Sequence, residues 1–285
     1  MRTVLAVDLG GTKTAMAVVD ESGVASHKVK LSAAHSPAGS IAQIAEMTKT
    51  HEPCAIGIAL PGIFDPRNGR AWAPNLWGPD WVPFREALQS RISVPVSFTS
   101  DRSAYVLGEQ WLGAARGHSD VIFVSIGTGI GVGILSAGRV IEGAHGIAGA
   151  AGWMALERNW KPEYGQCGCW EWEASGPGTA AHAEMPSAED VVAAARQGDP
   201  HARGALRRTA SYLGAGIANL VSVLDPELVV LGGGLMQAAD FLLEGIRHEV
   251  ERWAQPVAAR LVRIELSQLD EDAGLLGAAR MAFQH

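Results

Sequence analysis

The feature that most constrains this chain is a segment that occurs twice. VLAVDLGGTKTAMAVV from Val4 and VIFVSIGTGIGVGILS from Val121 align as apolar strand, glycine turn and apolar strand, with Gly10 over Gly127 and a period of 117 residues between Val4 and Val121. A repeat of this length predicts an internal duplication rather than a chance pair of hairpins. The segments after each copy support it. The first copy is followed by a strand near residues 24–31 and a helix over residues 36–49, with Ile41, Ile44, Ala45 and Thr48 on one face and Ser36-Pro37 as cap and first turn. Then come the buried strand AIGIAL, a helix in VPFREALQSRI, the strand VPVSFTS, and a helix that Asp101 caps and that runs to about Gly113. After the second copy the order is a helix over residues 209–224, strand LVVLGGG, a helix after Met236, strand LVRIEL and a closing helix from Ala273. GAARGHSD reads as a connection between domains, and the stretch from Phe64 to Val82, dense in Pro, Gly and Trp, reads as loop. Two similar α/β halves facing each other would leave a cleft lined by paired glycine turns.

Composition narrows the class. With 285 residues, 47% apolar and 19% charged, the chain can bury two moderate cores, and a formal net charge of -7 without a basic run gives nucleic acid no face to bind. The opening MRTVLAVDLGG has one Arg and an apolar run that ends at Asp8, so neither an export signal nor a membrane span is expected and the reading is cytoplasmic. Cys54, Cys167 and Cys169 are too few for a disulfide framework, which leaves plain thiols or a metal site.

A strand that runs into glycines lets backbone N–H groups approach an anion, because no side chain intervenes. The turns Asp8-Gly10-Gly11-Thr12 and Gly127-Thr128-Gly129, with a third at Gly232-Gly233-Gly234, read together as a coherent nucleotide cradle, although each alone would pass as a hairpin loop. Asp8 at a buried strand end suits magnesium or its waters and otherwise caps a turn, and Lys13 reaches phosphate or is simply solvated.

DLGGTK, ALPGIFDP, PNLWG, SDRSAYVLGE, SIGTGIGVGIL, GIAGAAG, CGCWEWEASG, VVLGGG and DAGLLGAA stand in the order found in the ROK family of bacterial sugar kinases and repressors, which the chain resembles over nearly its whole length. The resemblance implies an α/β, actin-like ATPase (ribonuclease H-like) fold of two duplicated domains, over residues 1–115 plus 273–285 and 116–272. It implies ATP and Mg2+ as cofactors, ATP and a sugar as small-molecule partners, glucokinase-like phosphorylation of a hexose, usually at O6, and a homodimer. The family's repressors carry a winged helix-turn-helix ahead of the first phosphate turn. Only seven residues precede Asp8 here, so a DNA-binding repressor is not expected.

Asp101 matches the family's catalytic base, which takes the proton of a sugar hydroxyl; by its own sequence context it is equally a helix cap. Gly62, Asn75 and Glu171 match sugar-contacting positions. Two departures bear on the sugar. Ser100 stands where Asn usually precedes the base, and Ala150-Ala151-Gly152-Trp153 replaces Glu-x-Gly-His. The lost His also binds zinc in the family, Pro162 and Tyr164 fall on its first two cysteine positions, and only Cys169 is in register, so a structural zinc is not expected. With Trp153 near Trp77, Trp81, Trp170 and Trp172 in neighbouring segments, a rebuilt aromatic pocket for a modified hexose, an N-acylhexosamine or a cyclitol is a second reading. A non-catalytic sugar or nucleotide-binding regulator is a third, and polyphosphate is an alternative donor.

Overall fold

The apolar run after Met1 forms β1 (Thr3–Leu9), whose residues Val4 to Val7 are fully buried. Their side chains alternate between two cores, as a strand period of two requires. Leu5, Val7 and Leu9 join one with Ile41, Ile44, Phe84 and Leu88, whereas Val4 and Ala6 join another with Ala104, Leu275 and Ala278. A strand covered on both faces must be central. In the computed structural model, which describes residues 2–284, β1 pairs antiparallel with β2 (Lys13–Asp20) and parallel with β4 (Ala55–Leu60). β3 (Ala25–Ser32) and β7 (Val96–Ser100) close the sheet in the order β3-β2-β1-β4-β7. One face carries helices Pro37–His51 and Phe84–Gln89, and the other carries Asp101–Leu112 and Ala273–Phe283.

The segment from Phe64 to Val82, read from sequence as loop, is folded. It holds the hairpin β5 (Ile63–Asp65) and β6 (Arg70–Trp72) and a short helix Pro74–Trp77, with Ala71, Ala73 and Leu76 in the core. Asp101 is also not the cap of its helix. Ser100 is, its hydroxyl accepting the Ser103 N–H at 3.2 Å, and Asp101 is the first helical residue.

The second copy builds the same pattern from β8 (Val121–Ile126), β9 (Ile130–Ser136), β10 (Arg139–Val140), β11 (Leu228–Gly232) and β12 (Arg263–Leu266), in the order β10-β9-β8-β11-β12. Antiparallel β8-β9 matches β1-β2, and parallel β8-β11-β12 matches β1-β4-β7. The duplication seen in sequence is therefore a duplication of topology. The long helix of this half begins at Pro200, nine residues before the sequence reading put it, because Asp199 caps it by accepting the Ala202 N–H at 2.8 Å.

The chain divides into two compact units. One comprises Met1–Gly117, Val140–Ala148 and Gln268–His285; the other comprises His118–Arg139 and Gly149–Ser267. Among the described residues no helix is long and apolar enough to cross a membrane.

Candidate functional site

In the first unit the parallel strands deliver the candidate residues to one edge. β1, β4 and β7 run in register, with Asp8 opposite Ala59 and Leu60 opposite Ser100, so Asp8, Gly62 and Asp101 all emerge at the carboxyl ends of the strands. That edge is where open α/β sheets place their ligands. The Gly10 N–H closes the turn onto Lys13 O at 2.9 Å, and a Cβ at Gly10 would stand 2.7 Å from the same oxygen, so the tight turn requires glycine. Gly11 lies beside the backbone carbonyl of Asn75, while Thr12, Lys13 and Asn75 are exposed. Gly62 is pressed against Trp72 and Ala73, where a Cβ would come within 2.0 Å of Trp72 O, and this seats the turn after β4 next to the helix that carries Asn75.

Asp101 keeps its carboxylate largely uncommitted: it accepts one hydrogen bond, from the Arg102 N–H at 2.8 Å. Burial raises its pKa above the ordinary carboxylate range, and the charge and N–H of Arg102 offset part of that rise. Asp8 is pushed up to about 7, first by burial and then by the negative charge of Asp101. Tyr105, which the sequence reading passed over, completes this group. It sits four residues after Asp101, hence on the same helix face, and burial with the charges of Asp8 and Asp101 pushes its hydroxyl well above the usual tyrosine range. Gly274 makes room for the group, since a Cβ there would lie 2.5 Å from Asp8 Oδ2 and 2.9 Å from Tyr105 Cε1.

Ser100 spends its hydroxyl on the helix cap and on Ser103 Oγ at 3.0 Å. Beside it opens a pocket of about 400 Å³ within this unit, lined by Ser100, Ser103, Phe98, Phe64, Arg85 and Glu142. Phe64 and Phe98 stack with ring centroids 4.1 Å apart, and the Arg85 guanidinium lies over Phe64.

In the second unit β8 and β11 end side by side, with Ser125 opposite Gly232, which sets Gly127 and Gly233 at one edge. The three glycines at the end of β11 differ in surroundings. A Cβ at Gly232 would enter the Phe123 ring, Gly233 has a φ of 92°, and Gly234 faces open space. That space belongs to a cavity of about 690 Å³ lined by Gly127, Thr128 and Gly234 together with Gly176, Glu189 and Arg196. Its size falls in the range of small-molecule sites. The sequence reading found its glycine side and missed Glu189 and Arg196, which come from a separate helix, Ala188–Arg196, that carries no motif.

Glu171 reaches the turn after β8: Oε2 accepts the Ile130 N–H at 2.7 Å and lies against Gly129. Burial raises its pKa, and the Ile130 N–H offsets part of that rise. Trp153 is 59% exposed on a short 3-10 turn. Three of the other tryptophans pack within their own units. Trp170 is a fully buried core residue that donates to Tyr212 O at 2.9 Å, Trp172 meets His182 edge-on, and Trp77 donates to Ser40 Oγ in the core of the first unit. Cys169 Sγ accepts the Leu156 N–H, and among the described residues no three His, Cys, Asp or Glu side chains cluster as a metal site would need.

The ROK family model matches residues 4–285. The chain belongs to the ROK family. This ROK chain is 33% identical to a glucokinase of Streptomyces coelicolor over 99% of its own length and 98% of that protein's. A crystal structure of a Streptomyces griseus ROK glucokinase in complex with glucose and AMPPNP superposes with a TM-score of 0.83 at 31% identity, covering 99% of this chain and 100% of that one. A putative N-acetylmannosamine kinase from Listeria monocytogenes superposes with a TM-score of 0.85 at 25% identity, covering 99% of each chain. Within the family this ROK protein is an ATP-dependent sugar kinase with the actin-like fold.

Proposed function

We propose that the chain transfers the γ-phosphoryl group of ATP to O6 of a hexose, with Asp101 as the base. In that step Asp101 takes the hydroxyl proton as the sugar oxygen bonds to phosphorus, the bond to the bridging oxygen breaks, and ADP leaves with the electron pair. The observation that carries the reading is the state of Asp101. Asp101 is half-buried just past a strand end, its pKa is raised by burial, Ser100 caps the helix in its place, and its carboxylate accepts the Arg102 N–H at 2.8 Å. A carboxylate desolvated this way is a stronger base toward a hydroxyl than one in water.

The turn Gly127-Thr128-Gly129 with Gly234 would receive the nucleotide in the second unit, and in the first unit the turn from Asp8 to Thr12 offers backbone N–H groups suited to phosphate. Asp8 fits magnesium, which typically takes only one or two carboxylates and otherwise waters and phosphate oxygens. A half-buried carboxylate pushed up to about 7 lacks a positive partner, and a cation would supply one. When bound, the ion neutralises phosphate charge.

A second acceptor class, a hexose with an N-acyl or comparable substituent, is favoured by the pocket of about 400 Å³ that begins at Ser100. The short Ser100 side chain leaves this space open, and the stacked Phe64 and Phe98 give it an apolar wall.

The test is a pooled-sugar screen by mass spectrometry for the gain of one phosphoryl group, followed by ADP release with each hit. Asp101→Asn should lower kcat by about 10²- to 10⁴-fold, the usual share of a general base. If no sugar stimulates ADP release, the reading fails and a non-catalytic regulator takes its place; if Asp101→Asn turns over like the wild type, the assignment of Asp101 as the base fails.

A further inference from the structure

On the helix Cys169–Ala174, Glu171 and Glu173 are two residues apart and so project roughly 200° from each other. Glu171 faces the Gly129-Ile130 turn. Glu173 faces the other way and is completely buried, and its carboxylate accepts three side-chain hydrogen bonds. Its Oε1 accepts Lys161 Nζ at 2.8 Å and the Tyr164 hydroxyl, and its Oε2 accepts Arg208 Nη2 and lies 3.1 Å from His182 Nε2. Burial works to raise the Glu173 pKa, but the hydrogen bonds from Lys161 and Tyr164 and the charge of Arg208 outweigh it and hold the group ionised.

A helix of six residues cannot hold its own position. This one is pinned to the long helix Pro200–Leu224 at three places. Arg208 binds Glu173, Tyr212 O takes the Trp170 indole N–H, and Gly216 lies under the Trp170 ring, where a Cβ would come within 2.2 Å. The opposite face of the same short helix ends on the turn that the proposed function assigns to phosphate.

We infer that Glu173 is a positioning residue for nucleotide binding: its ion cluster clamps Cys169–Ala174 to the long helix and so holds Glu171 against the Ile130 N–H, fixing the turn from Gly127 to Ile130. The inference rests on the reading of that turn as a phosphate site. A buried ion pair is weak support for stability by itself, so its use here lies in geometry.

The experiment measures the Kd of a non-hydrolysable ATP analogue with magnesium by calorimetry, for wild type, Glu173→Gln, Glu171→Gln and the double variant, with Tm recorded for each. Glu173→Gln should weaken binding roughly tenfold to a hundredfold, the range seen when a partner supporting a binding group is removed. The double variant should bind no more weakly than the worse single variant, because the two carboxylates act in series. Tyr164→Phe, which removes one hydrogen bond and no charge, should weaken binding in the same direction by less, and it decides the matter if Glu173→Gln does not fold. A cluster that only stabilises the unit would lower Tm and leave Kd within about twofold, or give losses that add; either result overturns the inference. A wild type that binds no analogue refutes the phosphate-turn reading and this inference with it. A wild type that binds normally beside an indifferent Glu173→Gln refutes this inference alone.

Discussion

Replacing Gly277 by Ala tests how Asp101 is held. Gly277 lies in the helix Ala273–Phe283 where it crosses the helix that begins at Asp101, and a Cβ there would stand 1.8 Å from Ala104 O, 2.5 Å from its carbonyl carbon and 2.8 Å from its Cα. Two effects oppose each other. Alanine is the better helix former by about 1 kcal/mol, whereas forcing a methyl into a filled core typically costs about 1–3 kcal/mol. The atoms in the way are backbone of a neighbouring helix and cannot rotate aside, so the clash sits near the top of its range, about 3 kcal/mol, and after the helix gain of about 1 kcal/mol a net loss of about 2 kcal/mol is expected. Relief requires the helices to part by roughly 1 Å, a displacement that can cost on the order of a hundredfold in rate when it moves a reacting group. Urea unfolding gives the stability and ADP release gives kcat. Gly204→Ala is the control of opposite sign. Gly204 lies inside the helix Pro200–Leu224, its added Cβ would meet only Arg207 Nη2 at 3.8 Å, and a gain of about 0.5–1 kcal/mol is expected. A Gly277→Ala protein as stable as wild type would refute the packing argument. One that loses stability but keeps its kcat would refute the claim that this contact positions Asp101.

Other outcomes follow from the charged groups. Because burial raises the pKa of Asp101, and the base works ionised, kcat/KM should fall on the acid side with a midpoint above the usual carboxylate value of about 4; a pH-rate profile with its acid limb at about 4 would contradict this. Glu173 is held below its unfolded value, so its contribution to stability is present above about pH 4.3 and is lost as pH falls through the lower folded value. The stability difference between wild type and Glu173→Gln, measured by urea unfolding across this range, should therefore shrink in acid. Overnight EDTA treatment should leave the Tm of the nucleotide-free protein unchanged, since Cys169 is occupied by the Leu156 N–H and no metal-binding cluster forms among the described residues.

The elements legible in sequence were those whose signals are local. The alternation in β1 and β2, the Ser36-Pro37 helix start and the turn glycines depend on neighbours only a few residues away. The hairpin between Phe64 and Val82 was not legible, because its few core residues, Ala71, Ala73 and Leu76, are small or isolated and are buried by distant partners such as Phe84 and Leu88. Ser100 and Asp101 are both good capping residues, and from sequence Asp101 was taken where Ser100 is the cap; the difference matters, because it is what frees the carboxylate. Tyr105 could have been found by its i,i+4 spacing from Asp101. The partners of Glu173 could not, since Arg208 and His182 reach it from helices with no motif linking them to CWEWE.

The first unit is assembled from separate stretches of chain, and its last helix comes from the very end of the described sequence. A ribosome making this protein releases the Asp101 helix early but supplies Ala273–Phe283, the layer it rests on, only after the whole second unit has been synthesised. Removing Ala273–Phe283 should therefore injure a centre encoded far upstream of it, and a fragment confined to roughly residues 2–117 should not mature on its own.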